Sequence, residues 1–228
     1  MRYALLAGMG LGALSLGACG GASVNAVAQA ADRTAATGGE HLTLSGTVTE
    51  GGLTSRVEGV GDYQNSPPLG HLQMSVAVGT KAVQVDEIDE GSTGYLRSDV
   101  FSSLLPHGKE WLLIRSSSLR RLGLGAVTAS QQSPTQTLRA LGTSDSATKV
   151  GTATVDGVPT THYRLKTPKL LVGTTDVWIG SDHLVRRIEL TSTRYHLRMD
   201  FSRFGESVTV HKPQASETLD MSKLGGNP

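Results

Sequence analysis

Over most of the chain apolar and polar residues alternate with a period of two, the pattern of strands that each bury one face. The longest such stretch is 155–213. Within it Tyr163 and Leu165 oppose His162, Arg164 and Lys166, and Val177 and Ile179 oppose Trp178. Leu184, Arg186, Ile188 and Leu190 share the next face, and Tyr195, Leu197, Met199 and Phe201 alternate with His196, Arg198, Asp200 and Ser202. Val208 and Val210 read as a last strand before Pro213. Upstream, Leu42, Leu44 and Val48, then Val57 and Tyr63, then Leu72, Met74, Val76 and Val78, then Val83 and Val85 repeat the pattern, and 93–98 and 109–115 read as shorter strands. Gly51-Gly52, Gly79-Thr80, Asp156-Gly157 and Ser181-Asp182 punctuate these runs, so neighbouring strands are expected to pair as antiparallel hairpins. Asp86, Glu87, Asp89 and Glu90 lack the spacing of a calcium loop and read as a solvated turn and strand end.

Helical patterns are few. Val24, Val27, Ala28, Ala31 and Ala35 predict one helix over 24–36, with Gly38-Gly39 as its stop. A short helical or turn segment over 100–105 precedes Pro106, and two short helices are expected in 116–142, the second opened by Ser133-Pro134 and closed by Gly142. The expected fold is α+β: a long curved antiparallel sheet of about ten to eleven strands, whose inner face needs an apolar cover, with a few short helices. A length of 228 residues fits one domain of this kind.

The first residues change the picture. Arg2, an apolar and Gly-rich run over 3–16, and Leu16-Gly17-Ala18-Cys19 have the order of a bacterial secretory signal ending in a lipobox. The h-region is too short and too broken by glycine to span a bilayer comfortably. Cys19 is the sole cysteine, which forbids an internal disulfide and places the thiol where a lipobox requires it. The expected organisation is a signal peptide over 1–18, a lipidated tether over 19–23, a folded domain over 24–213 and a C-terminal tail over 214–228. The mature chain is expected on the extracytoplasmic face of the cell membrane, held by lipid on Cys19.

Composition narrows the function. A net charge of +1 with scattered Lys and Arg gives no footprint for nucleic acid. Aromatic residues make up only 4% of the chain, so the core is expected to rest on Val, Leu and Ala. No G-x-S-x-G elbow, H-E-x-x-H helix, P-loop or dinucleotide fingerprint occurs, and the seven histidines are dispersed, with His162 and His196 on outward strand faces. The reading is a non-enzyme with no metal and no cofactor. Arg186, Arg187, Arg194, Arg198 and Arg203 allow a basic stripe toward phospholipid head groups, but cross-strand ion pairs on a solvated face are the favoured reading.

Several segments in this order carry a family resemblance. They are Val155-Asp156-Gly157-Val158 with Thr161-His162-Tyr163, then Asp176-Val177-Trp178-Ile179 with Leu184-Val185-Arg186-Arg187, and Phe201-Ser202-Arg203-Phe204-Gly205 with Val208-Thr209-Val210 and Pro213. Together with the lipobox they resemble the actinobacterial LppX/LprG-type lipoproteins, similar in fold to the lipoprotein carriers LolA and LolB. The resemblance implies a strongly curved antiparallel half-barrel with a few short helices covering its concave face, and between them an apolar cavity that holds acyl chains of a lipid or glycolipid, such as palmitate. The inward positions that alternation offers to such a ligand are Leu72, Met74, Val76, Val83, Val85, Ile188, Leu190, Leu197, Met199 and Phe201, which fit an ordinary core equally well. The implied partners are that lipid, the membrane through the anchor and an envelope transporter, with the protein itself a monomer. A different class stays open: an envelope sensor or scaffold that binds another protein through the same fold.

Overall fold

The computed structural model describes residues 19–102, 105–115, 134–141, 146–166 and 173–223. Strands β1 (Gly39–Glu50), β2 (Leu53–Asn65), β3 (Pro68–Val78), β4 (Lys81–Glu90), β5 (Thr93–Ser98) and β6 (Trp111–Arg115) form one antiparallel meander. A second comprises β7 (Ser146–Val155), β8 (Val158–Lys166), β9 (Thr174–Gly180), β10 (Val185–Thr191) and β11 (Tyr195–Ser202). β11 pairs with β1, from His41 opposite Ser202 to Val48 opposite Tyr195, and this seam fuses the meanders into a single open sheet. The turn residues act as their chemistry suggests: Asp156 and Gly157 hold φ of 48° and 80°, the left-handed pair that a tight hairpin between twisted strands requires.

The helices are α1 (Cys19–Ala35), the single turn α2 (Asp99–Ser102) and α3 (Pro134–Leu141). Val27, Ala30, Ala31 and Thr34 recur at the spacing of one helix face, and all are buried. Three of them are small or polar, which lets α1 lie close against Val177, Ile179, Val185 and Ile188 of the sheet. Leu138 and Leu141 of α3 join the same core. Burying each of Leu138, Ile188 and Phe201 stabilises the fold by roughly 1.5–3 kcal/mol.

Differences from the sequence expectation have local causes. α1 starts at Cys19 and not near Val24, so the residues read as a tether form its first turn. In β10 the register shifts between Val185 and Arg187, and this bulge sends Val185 inward in place of Leu184 and Arg186. The Val185 N–H then finds its partner off the sheet, donating to Thr34 Oγ1 at 2.8 Å, while that hydroxyl donates to Ala30 O at 2.8 Å.

Val208 and Val210 form no strand. Both edges of β11 are already taken by β10 and β1, so the chain after it has no ladder to join. It crosses the outer face, where Val210 packs on Ile88, Tyr95, Trp111 and Leu113. It then adds a twelfth strand, β12 (Thr218–Asp220), parallel to β6, so part of the segment read as a tail belongs to the sheet. Arg115 Nη1 meets Asp220 Oδ2 at 2.5 Å across that pair. The first of the two helices expected in 116–142, and the capping residues Ser133 and Gly142, lie outside the described residues.

Candidate functional site

The strand registers line up rows of side chains on the inner face, the one that α1 covers. Leu42, Gly61, Leu72, Glu87, Leu96 and Leu112 form one such row from β1 to β6. All ten positions proposed from alternation lie on this face, but in two environments. Leu72, Ile188, Leu190, Met199 and Phe201 are buried in the core beneath α1 and α3. Met74 and Leu197 pack against its margin half-buried, and Val76, Val83 and Val85 continue the apolar surface beyond it, also half-buried. The inner face therefore grades from close-packed core under α1 to partly accessible aliphatic surface on β3 and β4.

Its polar end was not legible as such. Glu40, Tyr63 and Asp89 share one inner row with Gly70, and Glu87 stands in the next. Gly70 is required here: a Cβ would sit 2.1 Å from the Tyr63 ring. Glu40 is 1% exposed; Asn65 Nδ2 donates to its Oε2 at 2.8 Å, and Oε1 has no hydrogen-bond partner among the described residues. Burial lifts the Glu40 carboxyl from 4.5 to about 7, against the opposing pull of that hydrogen bond. Burial, and then the negative charge of Asp89, lifts the Glu87 carboxyl above its ordinary range, and burial lifts Asp89 as well. Tyr63 is pushed well above 10 by burial and then by Asp89, Glu87 and Glu40. The acidic run is thus the body of β4 and not a solvated turn: alternation turns Glu87 and Asp89 inward, whereas outward Asp86 pairs with Arg97 at 2.7 Å. Carrying the period of two on from Val83 and Val85, and back from Leu42, would have found Glu87, Asp89 and Glu40.

The outer face behaves largely as an ion-paired strand surface. Asp200 takes Arg187 at 2.5 Å and Arg198 at 2.8 Å, Arg186 pairs with Asp182, and Arg203 reaches Asp62 at 3.1 Å. Arg194 is exposed. His196 is exposed as expected, but His162 is not a solvated residue: its ring stacks on Trp178 with centroids 4.2 Å apart, and Nε2 lies 2.7 Å from Asp176 Oδ1. Asp176 also accepts from Arg164 Nε at 2.9 Å, so this cluster ties β8 to β9.

A cleft of about 620 Å³ opens between α1 and the ends of β7, β8 and β9. Ala26, Tyr163 and Ile179 form its apolar wall, and Thr152, Thr161 and Ser181 are among its hydroxyl-bearing residues. None of the ten positions proposed from alternation lines it.

With this geometry in hand, comparison with known proteins is informative about the fold. No family model matches the chain. A Streptomyces griseus relative, an uncharacterised 31.2 kDa protein of the rplA–rplJ intergenic region, is 29% identical over 157 residues, which span 52% of this chain and 52% of that protein. The matched stretch is thus about half the length of that relative. The crystal structure of LprF from Mycobacterium bovis aligns with a TM-score of 0.52 at 14% identity, covering 86% of this chain and 99% of that one. Mycobacterium tuberculosis lipoprotein LppX aligns with a TM-score of 0.54 at 18% identity, covering 84% of this chain and 99% of its own. The chain therefore has the fold of the LppX- and LprF-type lipoproteins, as the resemblance in its sequence implies.

Proposed function

We propose that this protein is a lipid-anchored, non-catalytic binding protein that takes acyl chains of a lipid or glycolipid against its inner face and carries or presents them in the cell envelope. The observation that carries the reading is the aliphatic surface of Met74, Val76, Val83, Val85 and Leu197, which runs on from the packed core and remains half-buried. A chain laid along it gains roughly 0.8 kcal/mol per methylene removed from water, with no covalent chemistry. Likeness of fold to LppX and LprF supports a lipoprotein, and Cys19 at the end of a lipobox supplies the attachment point. In this reading residues 1–18 are removed, the domain sits on the extracytoplasmic face of the membrane as a monomer, and an envelope transporter supplies or accepts the cargo.

Native mass spectrometry of the full-length protein extracted from its own membranes tests this. Reproducible co-purifying lipid is expected. A lipid-free protein that also excludes fluorescent fatty acids would refute the carrier and leave the sensor or scaffold reading in its place.

A further inference from the structure

α1 fixes where a lipid on Cys19 sits relative to the fold. The helix is continuous from Cys19 to Ala35, so no loop separates the anchor residue from the packed part of the helix. Val24 already packs against the core. At a helical rise of about 1.5 Å per residue, Cys19 stands about 7.5 Å beyond Val24 along the axis. A lipid on Cys19 therefore holds the domain within about two helical turns of the head groups.

The direction of α1 decides which part of the sheet lies beside the bilayer. Near its C-terminal end Thr34 Oγ1 accepts the Val185 N–H of β10. Ala26, about two turns earlier, shares the cleft with Thr152, Ala153 and Thr154 of β7. α1 packs chiefly against β7 and α3, and touches β9 and β10 more sparsely. Followed from its C-terminus to its N-terminus, the helix thus runs from β10 toward β7, the last strand of the sheet. Cys19 lies about 10 Å further on than Ala26 in the same direction. The edge of β7 is accordingly the part of the sheet nearest the anchor.

The chemistry of that edge is a second, independent argument. Among the described residues β7 pairs only with β8, and a register shift between Lys149 and Gly151 leaves Val150 as an extra residue in the strand. Val150 is 49% exposed, and Lys149 beside it is exposed too. The bulge disfavours pairing of this edge with another strand. Lys149 is the one charged side chain on β7. It makes no ion pair among the described residues, whereas Arg164, Arg186 and Arg187 on the neighbouring strands are engaged by Asp176, Asp182 and Asp200. A lysine beside an exposed aliphatic side chain suits the boundary of an anionic bilayer, with the cation among phosphates and the valine toward the acyl region. The first turn of α1 has no acidic residue to oppose those phosphates, and the acid of the β7–β8 hairpin, Asp156, stands about 23 Å from Lys149 along the strand.

We propose that the anchored domain docks on the bilayer through the edge of β7, with Lys149 among anionic phospholipid head groups and Val150 at the interface. The inference rests on the lipid anchor at Cys19 and adds to it an orientation and a membrane-contact surface.

The test uses the anchored protein extracted from its own membranes, as the variants Val150→Cys, Leu53→Cys and Val78→Cys, each carrying a fluorophore on the new thiol; acylated Cys19 offers none. Leu53 and Val78 are exposed like Val150 but lie on β2 and β3, and β2 is about 29 Å from β7 measured along the sheet. Each variant is placed in vesicles of phosphatidylcholine and phosphatidylglycerol that contain a lipid with a nitroxide on its head group. Quenching at position 150 is expected to exceed that at 53 and 78 by at least about fivefold. Adding Lys149→Glu should lower it by at least about twofold in these vesicles and leave it unchanged in phosphatidylcholine alone. Equal quenching at the three positions, stronger quenching at 53 or 78, or no loss with Lys149→Glu would each overturn the docking surface. Disulfide linkage of unlabelled Val150→Cys protein to itself would assign the edge to a second copy instead. Protein that does not partition into vesicles at all would refute the anchor at Cys19, and with it the reading on which the orientation rests.

Discussion

Glu40 offers a sharp physical test, because a carboxyl group that is 1% exposed with one oxygen unpartnered among the described residues must make stability depend on pH in a particular direction. In the unfolded chain it titrates near 4.5, and in the folded one near 7. Below the lower value both states hold the proton, and burial costs no ionisation. Between the two the unfolded state loses its proton first, so stability falls with rising pH; above the higher value the full loss is in place. The gap between 4.5 and about 7, at about 1.36 kcal/mol per pH unit, amounts to about 3 kcal/mol. Glu40→Gln keeps an oxygen to accept from Asn65 Nδ2 and cannot ionise, so the variant should match the wild type near pH 4.5 and exceed it by about 3 kcal/mol near pH 8.5. In thermal melts of a chain this size that is a gain of about 6–12 °C, opening progressively across the interval. Glu87 and Asp89 impose slopes of their own, but they are present in both proteins and largely cancel from the difference. A difference between variant and wild type that stays constant from pH 4.5 to 8.5, or a variant that is the less stable at pH 8.5, would refute the claim that Glu40 is held uncharged by burial.

Three further outcomes are expected. Thr34→Val keeps the volume but removes the acceptor of the Val185 N–H, so denaturant unfolding should show a loss of about 1–3 kcal/mol; a loss below about 0.5 kcal/mol would mean that the bulge finds another partner. Val76→Trp places a large ring on the half-buried aliphatic surface and should lower lipid occupancy in native mass spectra while circular dichroism stays unchanged, whereas undiminished occupancy would remove Val76 from the binding surface. Cys19→Ala should release the protein from membranes in fractionation, and continued membrane association would contradict a lipobox anchor.

Much of the fold could be read from local pattern. Turn dipeptides such as Asp156-Gly157 and the inward sets Tyr163 with Leu165 and Met199 with Phe201 depend on backbone preference and a period of two, both properties of short segments. All ten candidate positions fell on the inner face for the same reason. Alternation assigns a face but not its cover, so it could not separate Ile188, sealed beneath α1, from Val83, which is half-buried. That depends on where α1 lies across the sheet.

Local pattern alone therefore specified the antiparallel meanders and their inner and outer faces. Tertiary structure alone decided the β1–β11 seam, because pairing between strands some 150 residues apart leaves no local trace. That seam closed both edges of β11 and sent Val208 and Val210 across the outer face. Burial within the tertiary fold, and not residue type, likewise sets what the carboxyl groups of Glu40 and Glu87 can do.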